Sequence, residues 1–308
     1  MASYQTLRQK HGFLGICKQP ELIAEVTELP IKEFGFDAAI VFSDILLICE
    51  AMGLDLHFEE GNGPILAPCL KTAECVKKLR NRDVVPKLSF VTDGIKLLKK
   101  RLDVPLLGFA GAPFTVASYM IEGKSSRDLK KTKEWMFKDP QSFHELLEII
   151  TDYTVEYLNQ QIDAGVDAIQ IFDSWANVLA ARQFEEFSAG YLQKIISKVK
   201  KCPVLVFCRG SSIFYERLAS LKPDGISLDW QSDLQEVRKR VSTKVALQGN
   251  LDPDILLTDS KTVVREAIAI LEKMRSDPAF IFNLGHGILP TTSEDVVRAL
   301  VSCVRNFE

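Results

Sequence analysis

The sequence lacks most of what would tie a chain to a membrane, a nucleic acid, a metal or a disulfide framework. No apolar run approaches the roughly 18 residues that mark a membrane-spanning helix. The opening stretch, MASYQTLRQKHGF, has no apolar core of a secretory signal, so a cytoplasmic protein is expected. A formal net charge of −3 supplies no basic field for a phosphate backbone, so no nucleic-acid partner is expected. The seven cysteines are odd in number and form no C-x-x-C pair, which fits isolated buried or half-buried thiols in a reducing compartment. Histidine is scarce, four in all, and no H-x-H or H-x-C pair offers the ligand spacing of a zinc site. No Pro/Gly/Ser-rich linker or low-complexity stretch interrupts the chain, so residues 1–308 are read as one domain.

What is present is a recurrent pattern of short apolar runs followed by helical stretches. The runs are FDAAIVFSD (36–44), VPLLGFAGAP (104–113), VDAIQIFDS (166–174), CPVLVFCRG (202–210), DGISLDW (224–230), KVALQGN (244–250) and AFIFNLGHG (279–287). Most are continuously Val, Ile, Leu or Phe, as parallel strands covered on both faces should be. Asp139-Pro140 followed by Phe143, Leu146, Leu147, Ile150, Val155 and Leu158, with Gly165 as terminator, predicts a long amphipathic helix. Alternating strands and helices imply a parallel α/β sheet. Gly108-Phe109-Ala110-Gly111-Ala112-Pro113 has the wrong spacing for a dinucleotide loop and sets proline where a phosphate-cradling N–H is wanted. A (β/α)8 TIM-type barrel is therefore expected, with its active site at the carboxyl ends of the strands. Seven strands leave it one short, so the first strand is expected to be absent from this chain.

The strand ends present Ser43-Asp44, Gly111-Ala112-Pro113, Asp173-Ser174-Trp175, Arg209-Gly210, Asp229-Trp230, Gln248-Gly249-Asn250 and Gly285-His286-Gly287. Asp44, Asp173 and Asp229 could each serve as a helix cap or a buried hydrogen-bond partner. The glycines around His286 allow close backbone approach. His11, His57 and His144 read as surface residues. No lysine ends a strand, as a Schiff-base aldolase would require, and no strand ends in the Glu typical of glycosidase pairs. What remains is an apolar pocket with Asp, His and Arg, suited to proton chemistry on a flat organic substrate without a metal.

FDAAIVFSDIL, followed by AMGL and FEEGNGP, resembles the hallmark segment of the uroporphyrinogen decarboxylase family. GFAGAPFTVASYMIEG, IQIFDSWANVL, GISLDW, VALQGNLDP and FNLGHGILP resemble its other blocks in the same order, covering residues 4–303. The resemblance implies stepwise decarboxylation of the four acetate side chains of uroporphyrinogen III to methyls, giving coproporphyrinogen III, without cofactor or metal. It implies that Asp44 is the central carboxylate among the pyrrole N–H groups and that Tyr119 hydrogen-bonds near it. Ser174 and His286 would contact substrate carboxylates, and Arg209, where relatives carry lysine, would be a further anion contact. The partners implied are the tetrapyrrole and a second copy of the chain in a homodimer. Two other readings are a cobalamin- or zinc-linked methyltransferase of the same superfamily and a degenerate barrel that binds tetrapyrrole without turnover.

The family also carries a segment resembling W-x-x-R-Q-A-G-R-Y just ahead of the position of Tyr4, and this chain starts after it. The same segment would supply the missing strand. A longer natural chain is therefore expected, and weak or no decarboxylation if the short form is complete, because an anionic substrate would lose guanidinium contacts. Cys208-Arg209-Gly210-Ser211 also departs from the family's usual Lys-Gly-Gly or Lys-Asp-Gly.

Overall fold

Each of the seven apolar runs becomes a strand of one parallel sheet. The structure is a computed structural model that describes residues 1–59, 63–80 and 82–307, with Ser211 described apart from its side chain. In chain order the strands are β1 (Ala39–Ile40), β2 (Asp55–Glu59), β3 (Gly63–Ala67), β4 (Leu106–Gly111), β5 (Ala168–Asp173), β6 (Val204–Cys208), β7 (Gly225–Ser227), β8 (Ala246–Leu251) and β9 (Phe280–Leu284). The sheet runs β1-β4-β5-β6-β7-β8-β9 and curls into a half-barrel with helices outside it. The count of seven matches the sequence expectation. β1 and β9 form the two edges, and β1, with two residues, is paired only to β4.

β2 and β3 form a separate antiparallel hairpin that the apolar runs did not announce. Its mixed composition, DLHFE and GPILA, carries no clear alternation. Residues 60–62 of the FEEGNGP block lie outside the described residues.

The helix Pro140–Ala164 has the predicted bounds. Asp139 accepts from the backbone N–H of Ser142 at 3.2 Å, Pro140 opens the first turn, and Gly165 closes the helix in the left-handed region at φ 114°. Phe143, Leu146, Leu147, Ile150 and Leu158 of this helix are buried against the outer face of the sheet and neighbouring helices. Gly108 permits a close approach there. A Cβ at 108 would stand 2.3 Å from Gln161 Oε1; without it, the Gln161 amide accepts from Phe109 N–H (3.0 Å) and donates to Phe109 C=O (2.9 Å). The helix is thereby keyed to the strand.

Side chains on the opposite face of β4, β5 and β6 point into the half-barrel. At the two edges this inner face is open: Ile40, paired with Leu107, is 46% exposed, and Ile281, paired with Gln248, is 44% exposed. The largest cluster of buried apolar residues lies between the sheet and its surrounding helices. Among the described residues, no helix is long and apolar enough to cross a membrane.

Candidate active site

Phenylalanines occupy inner positions near the carboxyl ends of three adjacent strands, Phe172 opposite Phe207 and Phe109 one inward step earlier. The rings of Phe109 and Phe172 meet edge-on at 5.6 Å, those of Phe172 and Phe207 at 5.9 Å, and Phe207 meets the His286 imidazole at 5.8 Å. Beside this arc, in register with it on the neighbouring strands, lies a polar group. Gln248 donates through Nε2 to Gln170 Oε1 (3.2 Å) and Ser227 Oγ (3.0 Å), all three buried. The strand ends thus offer an aromatic wall continued by an internally satisfied polar group.

Asp44 stands in the loop after β1. Its Oδ1 accepts from Leu46 N–H at 2.8 Å, an Asx-type turn ahead of the helix Leu47–Ala51. Among the described residues that is its only hydrogen bond, and no cation pairs with it. The side chain keeps a partial opening to solvent although protein encloses it on most sides. Burial pushes its carboxyl up to about 6, and the Leu46 N–H opposes the rise. Burial, then the charge on Asp44, pushes the Cys17 thiol up to about 12 and raises Cys49 as well. Two residues ahead, Phe42 meets the rings of Tyr4 (5.7 Å) and Phe13 (5.6 Å), so the first helices wall this end of the half-barrel with aromatic surface.

Tyr119 lies on the helix Pro113–Glu122, which follows β4. Its ring meets Trp175 at 5.9 Å and its hydroxyl is 3.4 Å from Ser125 Oγ. Among the described residues its hydroxyl makes no hydrogen bond to Asp44. Ser174, beside Trp175, is half-buried at the end of β5.

Arg209 and His286 come together on the far side of the site. Partial burial, then the Arg209 guanidinium, lowers the proton affinity of His286, and Asp229 opposes them. Asp229 is itself 1% exposed and accepts from Gly210 N–H at 2.5 Å, which fixes the Arg209 loop against β7. Among the described residues, no contact joins Arg209 or His286 to Asp44; the two groups stand on different strand ends of the same rim. Of the three histidines expected at the surface, only His57 is exposed; His11 is half-buried, and His144 is built into an aromatic contact. It is half-buried, bonded to Tyr191 Oη at 2.7 Å and stacked on Phe187, because its helix faces a second aromatic helix rather than water.

The family model "Uroporphyrinogen decarboxylase (URO-D)" matches residues 1–307. The chain belongs to the uroporphyrinogen decarboxylase family. It is 53% identical to the uroporphyrinogen decarboxylase of Protochlamydia amoebophila over 99% of this chain and 84% of that one. It is 42% identical to that of Ruthia magnifica over 100% of this chain and 91% of that one. A solved methyltransferase from Methanosarcina mazei superposes with a TM-score of 0.80 over 97% of this chain and 89% of that one, at 24% identity, a likeness of fold alone. The strand-end blocks gather on one rim. Among the described residues, no three His, Cys, Asp or Glu side chains converge as metal ligands would. Sequence reasoning passed over the phenylalanine arc, because three Phe residues in apolar strands read as core. Their shared place, one residue before Asp173 and Cys208 and two before Gly111, was the available signal.

Proposed function

We propose that this uroporphyrinogen decarboxylase family chain converts the acetate side chains of uroporphyrinogen to methyls, with Asp44 as the group that stabilises the reacting ring. The observation that carries the assignment is the Asp44 carboxylate: enclosed, raised to about 6, partly open toward a ligand and holding a single backbone donor.

Losing CO2 from an acetate leaves an electron pair that needs a sink. Protonation of the neighbouring pyrrole α-carbon makes the ring cationic, and the C–CO2 bond electrons then flow into it. CO2 departs, the exocyclic methylene takes a proton to become methyl, and the α-carbon gives its proton back. Each acetate consumes one proton net. The ring itself accepts the electrons, so this chemistry calls for no cofactor. A carboxylate beside the pyrrole nitrogens stabilises the cation, and more strongly in an enclosed site than in water. An acid that ionises near 6 is charged at neutral pH.

The remaining roles follow from charge and shape. Arg209 and His286, adjacent across the rim, suit substrate carboxylates; Ser174 and Tyr119 offer hydroxyl donors beside Trp175. Phe109, Phe172 and Phe207 suit the apolar face of a macrocycle. A cytoplasmic setting and a homodimer belong to the same proposal, and sedimentation at micromolar concentration tests the dimer. Anaerobic incubation with uroporphyrinogen III, with products separated as oxidised porphyrins, tests the activity. Stepwise loss of carboxyl groups ending in coproporphyrin is expected; unchanged substrate with folded protein would refute it.

A further inference from the structure

Asp173 ends β5 with its side chain on the outer face of the sheet, away from the phenylalanine arc, and is fully buried. Its Oδ1 accepts from Thr115 Oγ1 at 2.6 Å, and its Oδ2 from Ser188 Oγ at 2.5 Å. Thr115 Oγ1 in turn accepts from the backbone N–H of Trp175 at 3.1 Å. The polarity of this chain is fixed. A hydroxyl that accepts the Trp175 N–H has one proton to give, and it goes to Asp173. Thr115 occupies the first turn of the helix that carries Tyr119, and Trp175 follows Ser174. Ser188 lies in the π-turn Glu185–Ala189, where the helix widens by one residue.

We infer that Asp173, Thr115 and Ser188 are positioning residues for the decarboxylation site, setting Tyr119, Ser174 and Trp175 as one unit without touching substrate. Two βα units of the barrel are held together by one carboxylate, and the relay ends on the backbone of the loop bearing Ser174. The Tyr119 and Trp175 rings, in contact at 5.9 Å, inherit that alignment. An apolar substitute could fill the volume at 173 or 115 but could not direct the Trp175 N–H, and a loop displaced by an ångström lowers turnover more than binding.

The inference rests on the assignment of Tyr119 and Ser174 to the site, so the test separates the two. Four variants are compared with the wild-type chain for kcat and KM on uroporphyrinogen: Thr115→Ser, Thr115→Val, Ser188→Ala and Tyr119→Phe, with thermal unfolding of each. Thr115→Ser, which keeps the hydroxyl, is expected to stay within about twofold of wild type. Thr115→Val is expected to lose roughly 10- to 100-fold in kcat per folded molecule, with KM within about threefold. Ser188→Ala, at the far end of the relay, is expected to lose less in the same direction. Equal kcat for Thr115→Val and Thr115→Ser, or a loss wholly accounted for by the unfolded fraction, overturns the positioning role. Should Thr115→Val unfold outright, Ser188→Ala decides alone, and an unchanged kcat there overturns it. Wild-type kinetics in Tyr119→Phe would sink the site assignment instead, whatever the Thr115 pair does.

Discussion

Asp44 and Asp173 both stand at the carboxyl ends of barrel strands, both lie in low-dielectric surroundings, and both have carboxyls raised by burial. Their partners differ. Asp173 has a hydroxyl on each oxygen and no exposure, so it has nothing left to offer a ligand. Asp44 has one backbone N–H on one oxygen and an opening to solvent, so most of its hydrogen-bonding capacity is unspent. Burial alone therefore does not distinguish a reacting carboxylate from a structural one. The useful signal is burial without satisfaction, since an enclosed charge short of partners costs stability that only a function would retain.

Replacing Asp44 gives the largest expected effect. Asp44→Asn keeps the acceptor for Leu46 N–H and removes the charge, so kcat should fall by about 100- to 1,000-fold, as for loss of a preorganised electrostatic group. The same variant should be more stable than wild type at pH 8. A carboxyl raised from 3.8 to about 6 opposes folding by at most about 3 kcal/mol once ionised. Thermal unfolding beside the activity assay checks both halves; a variant that is inactive and no more stable would place the two aspartates in the same class.

Asp173→Ala should do the reverse in stability. It strands the buried Thr115 and Ser188 hydroxyls and leaves a cavity, at a cost of roughly 2–4 kcal/mol, measured by urea unfolding. Next comes pH. The folded value of Asp44 lies above its unfolded value, so the stability penalty is absent below about 3.8, develops as pH rises through about 6, and is constant above. The stability advantage of Asp44→Asn over wild type should therefore grow as pH rises through that window and vanish below it. Over the same range kcat/KM should drop as pH falls below about 6, because the protonated acid cannot offset ring cation charge. A flat profile from pH 5 to 8 would detach Asp44 from catalysis. Smallest is the rim: Arg209→Leu should raise KM by roughly 3- to 10-fold with little change in kcat, because an exposed cation binds substrate carboxylate in ground and transition state alike.

The strands of the half-barrel were legible because parallel strands buried on both faces need unbroken Val, Ile, Leu and Phe, and the helix Pro140–Ala164 because its cap, first-turn proline and terminal glycine lie within its own sequence. The hairpin of β2 and β3 was not, since it packs with mixed side chains that carry no period. Asp44 could be singled out by its place after an apolar run and by family resemblance, yet its lack of partners shows only in three dimensions. The Asp173 relay was hidden for a plainer reason: Thr115 is 58 residues away in the chain and Ser188 is 15. Neither spacing matches a helix turn or a strand pleat, so no local pattern connects them. The paired glycines around His286 divided in a similar way. Only Gly285 has the close neighbour that sequence suggested, and Gly287 has open space around it.

That glycine sets a dimension of the whole rim. A Cβ at 285 would lie 2.6 Å from the backbone nitrogen of Trp230, so the end of β9 rests directly on the chain leaving β7. Adding one carbon there would wedge two strand ends apart and lift His286 off the Phe207 ring. The width of the bowl on this side is therefore fixed by an atom the sequence leaves out.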